Sequence, residues 1–219
     1  MNRNLILAAI AAVAVAVGAF VFLSGNDTGQ TDISDSSSDQ SLEAVDTSGV
    51  VEMTLGEDDA AVTLIEYASF TCPHCRTFHE NTFKQLKADY IDTGKVKFVY
   101  REVYFDRFGL WAGMVARCAG PDRYFGVVDL IYENQSEWTR GEPAAIAENL
   151  KRIGRLAGVE NEQLDACLAD GEKAQALNAF FQQNAQADGI QATPSFVING
   201  ETHSNMSYTD MKALLDAGL

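Results

Sequence analysis

The chain has 219 residues, 47% of them hydrophobic and 10% aromatic, a composition that supports a packed domain rather than a disordered chain. Its net charge of −15 leaves no cationic face for phosphate backbones, so no nucleic-acid partner is expected, and it disfavours adhesion to anionic lipid headgroups.

Residues 1–23 open the chain with a single base, Arg3, and then run from Leu5 to Leu23 without a polar side chain. As a helix this run would be about 28 Å long, close to the apolar thickness of a bilayer. It is a membrane anchor or an export signal. Val17-Gly18-Ala19 offers a small-x-small cleavage site, but cutting there would leave the apolar stub Phe20-Val21-Phe22-Leu23, so the anchor is favoured. No Lys or Arg follows Arg3 until Arg76, and that bias puts the remainder of the chain outside the membrane.

Residues 24–50 carry six acids, no base and many Ser, Thr and Gly, the composition of a flexible acidic tether. Residues 51–219 keep a net charge of −10 and read as one mixed α/β domain. Val50–Leu55 is a candidate first strand, and the acids around Asp58 a solvated turn without a metal role. The segment "AVTLIEYASF" from Ala61 is rich in β-branched and aromatic residues and predicts a buried strand. Pro73 then starts a helix expected to run to about Tyr90, with Phe78, Phe83, Leu86 and Tyr90 inward. "KVKFVYREV", Lys95 to Val103, alternates as a second central strand.

The stretches 107–119, 121–133, 142–157, 161–169 and 171–187 have no strand pattern and form a helical block, with Trp111, Phe125 and Tyr132 as its expected core. "TPSFVING" from Thr193 gives a strand whose Asn199-Gly200 signals a hairpin. Ser207 caps a last helix ending near Ala217.

Chemistry concentrates in "FTCPHC". Cys72 follows a strand and stands at a helix start, where unpaired N–H groups and the macrodipole favour a thiolate. Cys75 is one turn on, within reach for a reversible disulfide, and His74 can add positive charge or a hydrogen-bond donor. A more stable thiolate makes the disulfide a stronger oxidant. The competing explanations are half of a zinc site and a structural clip. No second C-x-x-C or H-x-x-x-H completes a zinc set, so no metal is expected. So short a loop gains little from closure. Cys118 and Cys167 lie in separate helices of the block; an exported compartment favours a disulfide between them, against two buried inert thiols.

"LIEYASFTCPHC", followed far downstream by "TPSFVING", resembles the DsbA family of thioredoxin-fold exported thiol–disulfide oxidoreductases. The resemblance covers residues 51–219 and implies a thioredoxin-like fold with a helical insertion at about 106–170. It implies Cys72 as exposed nucleophile, Cys75 as buried partner, Pro73 and His74 as tuners of the Cys72 thiolate, and Pro194 as a cis-proline that leaves the Thr193 backbone free for an extended substrate. Glu66 matches the family's buried acid behind the pair; on the residues alone, an acid paired with a base such as Lys97 is an equal alternative. The resemblance further implies a periplasmic monomer without cofactor. It would act on exported proteins with free thiols and be reoxidised by a quinone-linked membrane partner of the DsbB type. Thr193 stands where oxidases of this type often carry Val and isomerases often carry Thr. The direction therefore lies between oxidase, which Pro73-His74 favours, and isomerase or reductase for one client. The reading from another class is a non-catalytic zinc or peptide-binding module.

Overall fold

A computed structural model describes residues 45–219; the apolar run 5–23, and the tether as far as residue 44, lie outside the described residues. Among the described residues no helix is long and apolar enough to cross a membrane.

Five strands form one sheet in the order β1-β3-β2-β4-β5: β1 (Met53–Leu55), β2 (Val62–Ala68), β3 (Val96–Glu102), β4 (Ser195–Ile198) and β5 (Glu201–Ser204). β2 and β3 are parallel, with Glu66 opposite Tyr100, and the remaining pairs are antiparallel. A parallel pair requires a crossover. Here α1 (Pro73–Glu80), α2 (Thr82–Leu86) and a π turn (Lys87–Ile91) supply it. One continuous helix to Tyr90 was expected, and the chain instead bends at Asn81 (φ −117°, ψ −72°). The Asn81 amide donates to the Thr77 carbonyl at 2.8 Å, a local bond of the kind that competes with the helical ladder. Phe78, Phe83, Leu86 and Tyr90 all still reach the core.

Between β3 and β4 run α3 (Arg107–Cys118), α4 (Pro121–Glu133), α5 (Gln135–Trp138), α6 (Pro143–Leu156), α7 (Asn161–Ala169) and α8 (Gly171–Ala187). The short α5 has no counterpart in the sequence pattern. It carries Trp138, fully buried with its indole N–H donating to the Ile131 carbonyl at 2.8 Å. Trp111 and Phe125 are only partly buried, so Trp138 and Tyr132 take the central place expected of all three. Strand parity divides the core. Leu64, Phe98, Phe196 and Ile198 join the large cluster with α1–α4, while Tyr67 and Val197 pack on the other face with Ala185 and Phe181 of α8.

Asn199 and Gly200 both have positive φ (49° and 89°), the geometry of a two-residue hairpin turn, and join β4 to β5. The last helix, α9 (Tyr208–Gly218), starts at Ser207, whose hydroxyl accepts from the Asp210 N–H at 3.2 Å.

Cys118 on α3 and Cys167 on α7 are joined by a disulfide across 49 positions. A cross-link over that separation lowers the entropy of the unfolded chain by the equivalent of roughly 4 kcal/mol, and such bonds typically deliver about 2–4 kcal/mol. The C118A/C167A double variant is therefore expected to lose about 2–4 kcal/mol in urea unfolding. A loss below about 0.5 kcal/mol would show that the bond adds nothing to the packing of α3 on α7.

Candidate active site

Strand β2 ends at Ala68, and the turn Ser69–Thr71 delivers Cys72 to the N-cap of α1. Several distant groups fix that turn. Gln135 on α5, itself buried, donates from its amide to the carbonyls of Phe70 (2.8 Å) and Cys72 (3.0 Å). The Tyr132 hydroxyl reaches the Ser69 carbonyl at 3.3 Å. Thr71 donates to Asp106 at 2.8 Å, and the other Asp106 oxygen accepts from the N–H groups of Phe108 and Gly109, capping α3. The sequence pattern gave no hint of Gln135, Asp106 or Thr71: each acts across tens of residues, on partners with no periodic signature.

Cys72 and Cys75 are both unbonded; Cys75 is buried and Cys72 partly exposed. The Cys72 thiol donates to the Thr193 carbonyl at 3.5 Å, and the Thr193–Pro194 peptide bond is cis. Ser195 donates to the Ala192 carbonyl at 2.8 Å, closing the loop that presents this bond.

The Cys72 thiol is pulled down from 9.0 to about 5. A hydrogen bond from Cys75 contributes most; burial opposes it; the Thr193 side chain and the backbone N–H groups of Cys75 and His74 add to it. His74 thus acts on the sulfur through its main chain, and its ring is exposed beside a small cleft. Cys75 moves the opposite way, far above an ordinary thiol, through burial, the hydrogen bond to Cys72 and the nearby Glu66. The two sulfurs are therefore split into a thiolate and a thiol at neutral pH.

Glu66 faces the main core from the centre of the sheet, between Tyr100 on β3 and Phe196 on β4. Its carboxyl oxygens have no hydrogen-bond partner among the described residues, and burial, reinforced by the Cys72 charge, raises its pKa well above the ordinary value. Lys97 is not its partner: that ammonium pairs with the exposed Asp58 at 2.8 Å, because residues 66 and 97 point to opposite faces of the sheet. Tyr100 and Tyr132 share a hydroxyl–hydroxyl bond of 2.7 Å within the same buried region. His79, one turn beyond Cys75, is buried against Phe83 and Tyr132 and lies 2.5 Å from Asp129 of α4, tying α1 to the helical block. Among the described residues no cluster of three or more His, Cys, Asp or Glu could hold a metal ion.

A split of this kind has a direct optical consequence. In the reduced protein, ultraviolet thiolate absorbance should titrate with a midpoint near pH 5, and alkylation of Cys72 should lose its rate below that pH. A thiol pKa lowered in the folded state stabilises that state above the unfolded thiol's range, and the gain is lost as pH falls through about 5. Stability of the reduced form should fall accordingly on acidification. A midpoint near 9 would contradict the account.

Comparison with known proteins agrees with this geometry. The thioredoxin family model matches residues 48–217. A Rickettsia bellii chain named "Putative protein-disulfide oxidoreductase" is 35% identical over 169 residues, 77% of this chain; the match spans 64% of that relative's length. Disulfide bond formation protein D of Bacillus subtilis is 29% identical, with 75% of this chain and 76% of the relative covered. The crystal structure of Wolbachia pipientis alpha-DsbA1 superposes with a TM-score of 0.69 at 27% identity, covering 76% of this chain and 89% of that one. With a matching family model, a five-stranded sheet of the same kind and relatives along most of its length, the chain belongs to the thioredoxin-fold family, in its DsbA-type group.

Proposed function

We propose that the protein is a thiol–disulfide oxidoreductase that works as an oxidase, passing the Cys72–Cys75 disulfide to exported proteins. The observation that carries this reading is the split pair: an accessible Cys72 sulfur that is stable as a thiolate, beside a buried Cys75 that is not, facing the cis Thr193–Pro194 bond. In the oxidised protein a substrate thiolate attacks Cys72 Sγ, the Cys72–Cys75 bond breaks, and Cys75 leaves and takes up a proton. Glu66, held protonated in the same buried region, is the group that supplies it. A second substrate thiolate then attacks the substrate sulfur of the mixed disulfide, and Cys72 leaves as a stable thiolate. The substrate loses two electrons and the enzyme gains them. In this reading the client runs past Thr193 as an extended chain, the pairing mode of an added strand.

Reoxidation is assigned to a quinone-linked membrane partner, and the working compartment to the periplasm, with residues 5–23 as tether. No cofactor is required by the chemistry. Thr193 supports isomerisation as the second reading. Mixing the oxidised protein with a reduced two-cysteine protein separates them: the oxidase reading expects one substrate disulfide per enzyme disulfide consumed. Faster recovery of a scrambled substrate by the reduced form would favour the isomerase.

A further inference from the structure

Arginine is unevenly occupied in this molecule. Of the eight arginines in the described residues, Arg101, Arg117, Arg123 and Arg155 donate hydrogen bonds to side chains or carbonyls, and Arg152 lies 3.6 Å from Glu137. Arg76 and Arg140 both line a cleft of about 530 Å³ that opens beside Pro73. Arg76 has only Glu80 at 3.7 Å, beyond hydrogen-bond range, and its buried Nε has no acceptor among the described residues. Arg140 forms no ion pair among the described residues and is exposed. The Arg107 guanidinium lies 4.9 Å from the ring of Phe108, a residue that lines the cleft.

One carboxylate, Asp106, lines the same cleft, and it is occupied. One of its oxygens accepts from Thr71 and the other from the N–H groups of Phe108 and Gly109. Those donors are neutral and leave its charge in place, so the lining, with two arginines against one carboxylate, carries one net positive charge in a chain whose net charge is −15. The smaller cleft, beside His74, is lined by Thr77, Phe78, Asn81, Asn205 and Met206 among others, with no Arg, Lys, Asp or Glu. Of these two clefts, one beside Pro73 and one beside His74, only the first carries cationic side chains.

We propose that the Arg76–Arg140 cleft is a specificity subsite for a carboxylate side chain, so that the protein prefers client thiols flanked by Asp or Glu. Arginine suits this task, because its planar fork matches a carboxylate and its donors here are not committed. An incoming acidic segment would replace the loose contact of Arg76 with Glu80. The proposal rests on the oxidoreductase reading and adds the class of client to it.

The test uses the oxidised chain and pairs of cysteine peptides that differ only in carrying two Glu or two Lys beside the thiol, with the charges placed on either flank. Each rate is divided by the same peptide's rate with hydroxyethyl disulfide, a neutral reference that removes differences in thiol ionisation. At low salt the Glu peptide should react about fivefold faster than the Lys peptide on one flank, the size expected of one partly exposed ion pair. That ratio should shrink in about 0.5 M salt. In R76Q/R140Q it should fall to about one. Because it is a ratio within one protein, partial unfolding of the variant does not disturb it. A ratio of one in the unmodified protein, or a ratio unchanged in R76Q/R140Q, overturns the subsite. Dithiothreitol oxidation by the unmodified protein is the separate check. If it proceeds while the peptide ratio is one, the subsite alone falls; if it fails, the oxidoreductase reading falls and the subsite with it.

Discussion

Cys72→Ser is expected to reduce dithiol oxidation to background, a loss of roughly a thousandfold or more, as removal of a covalent nucleophile generally does. The reason is positional. Cys72 is the partly exposed sulfur of the pair, whereas Cys75 is buried and its thiol is held far above the neutral range. Cys75→Ser should have a different signature. It keeps the reactive Cys72 but cannot form the internal disulfide, so its thiolate should attack a disulfide such as oxidised glutathione, release one glutathione thiolate and hold the other as a mixed disulfide that no Cys75 thiol can resolve. Cys75→Ala, which unlike Ser leaves no donor at this position, removes the largest cause of the low Cys72 pKa, so its thiolate midpoint should rise above 5. Mass spectrometry of the trapped adduct and the absorbance titration read the two effects separately. Oxidation undiminished in Cys72→Ser would remove Cys72 from the role assigned to it.

Arg117→Ala is expected to cost about 3–5 kcal/mol, the range for breaking a buried ion pair and leaving one charge uncompensated. Arg117 on α3 holds Glu102, at the end of β3, through two bonds of 2.7 and 2.6 Å, and a third bond of 2.8 Å reaches the Val51 carbonyl. The Tyr124 hydroxyl of α4 donates to the same carboxylate at 2.7 Å. Side-chain exposure is 4% for Arg117 and 3% for Glu102, so water cannot replace what is lost. Most of the penalty belongs to the stranded Glu102, which gives the prediction a control: R117M/E102L, which removes both charges, should be less destabilised than R117A alone. Urea unfolding checks both. A cost below about 1 kcal/mol for R117A would mean that the pair is solvated on the scale of a surface bridge.

The Cys72–Cys75 pair proposed for the redox role stood out in the sequence because its logic is local. A strand, a Pro at N1 and two cysteines one turn apart are adjacent in sequence, and β-rich composition, alternation and the Asn-Gly turn signal placed β2, β3 and β4 respectively to within a residue or two at each end. The supports of the pair were not legible. Gln135 holds the Phe70 and Cys72 carbonyls from 65 and 63 positions away, and Asp106 bridges Thr71 to the start of α3 over 35. Glu66 illustrates the same limit. Its alternation in β2 fits either a buried acid or half of an ion pair. Only the sheet register, with Lys97 on the opposite face and bound to Asp58, removes the second option. The bend at Asn81 escaped because an Asn within an otherwise helical pattern has no fixed outcome: its amide can face solvent or, as here, bind the carbonyl of Thr77.

The most direct test of the central claim is the reduction potential of the Cys72–Cys75 pair, measured by equilibration with glutathione buffers over a range of pH. Stabilisation of the Cys72 thiolate predicts an oxidising potential of about −120 to −180 mV. It also predicts a pH signature. Above about pH 5 the enzyme takes up one proton on reduction and glutathione takes up two, so the enzyme should gain oxidising power over glutathione by about 30 mV per pH unit. A potential near about −270 mV, with no pH-dependent gain over glutathione, would contradict the account and mark the pair as a reductant.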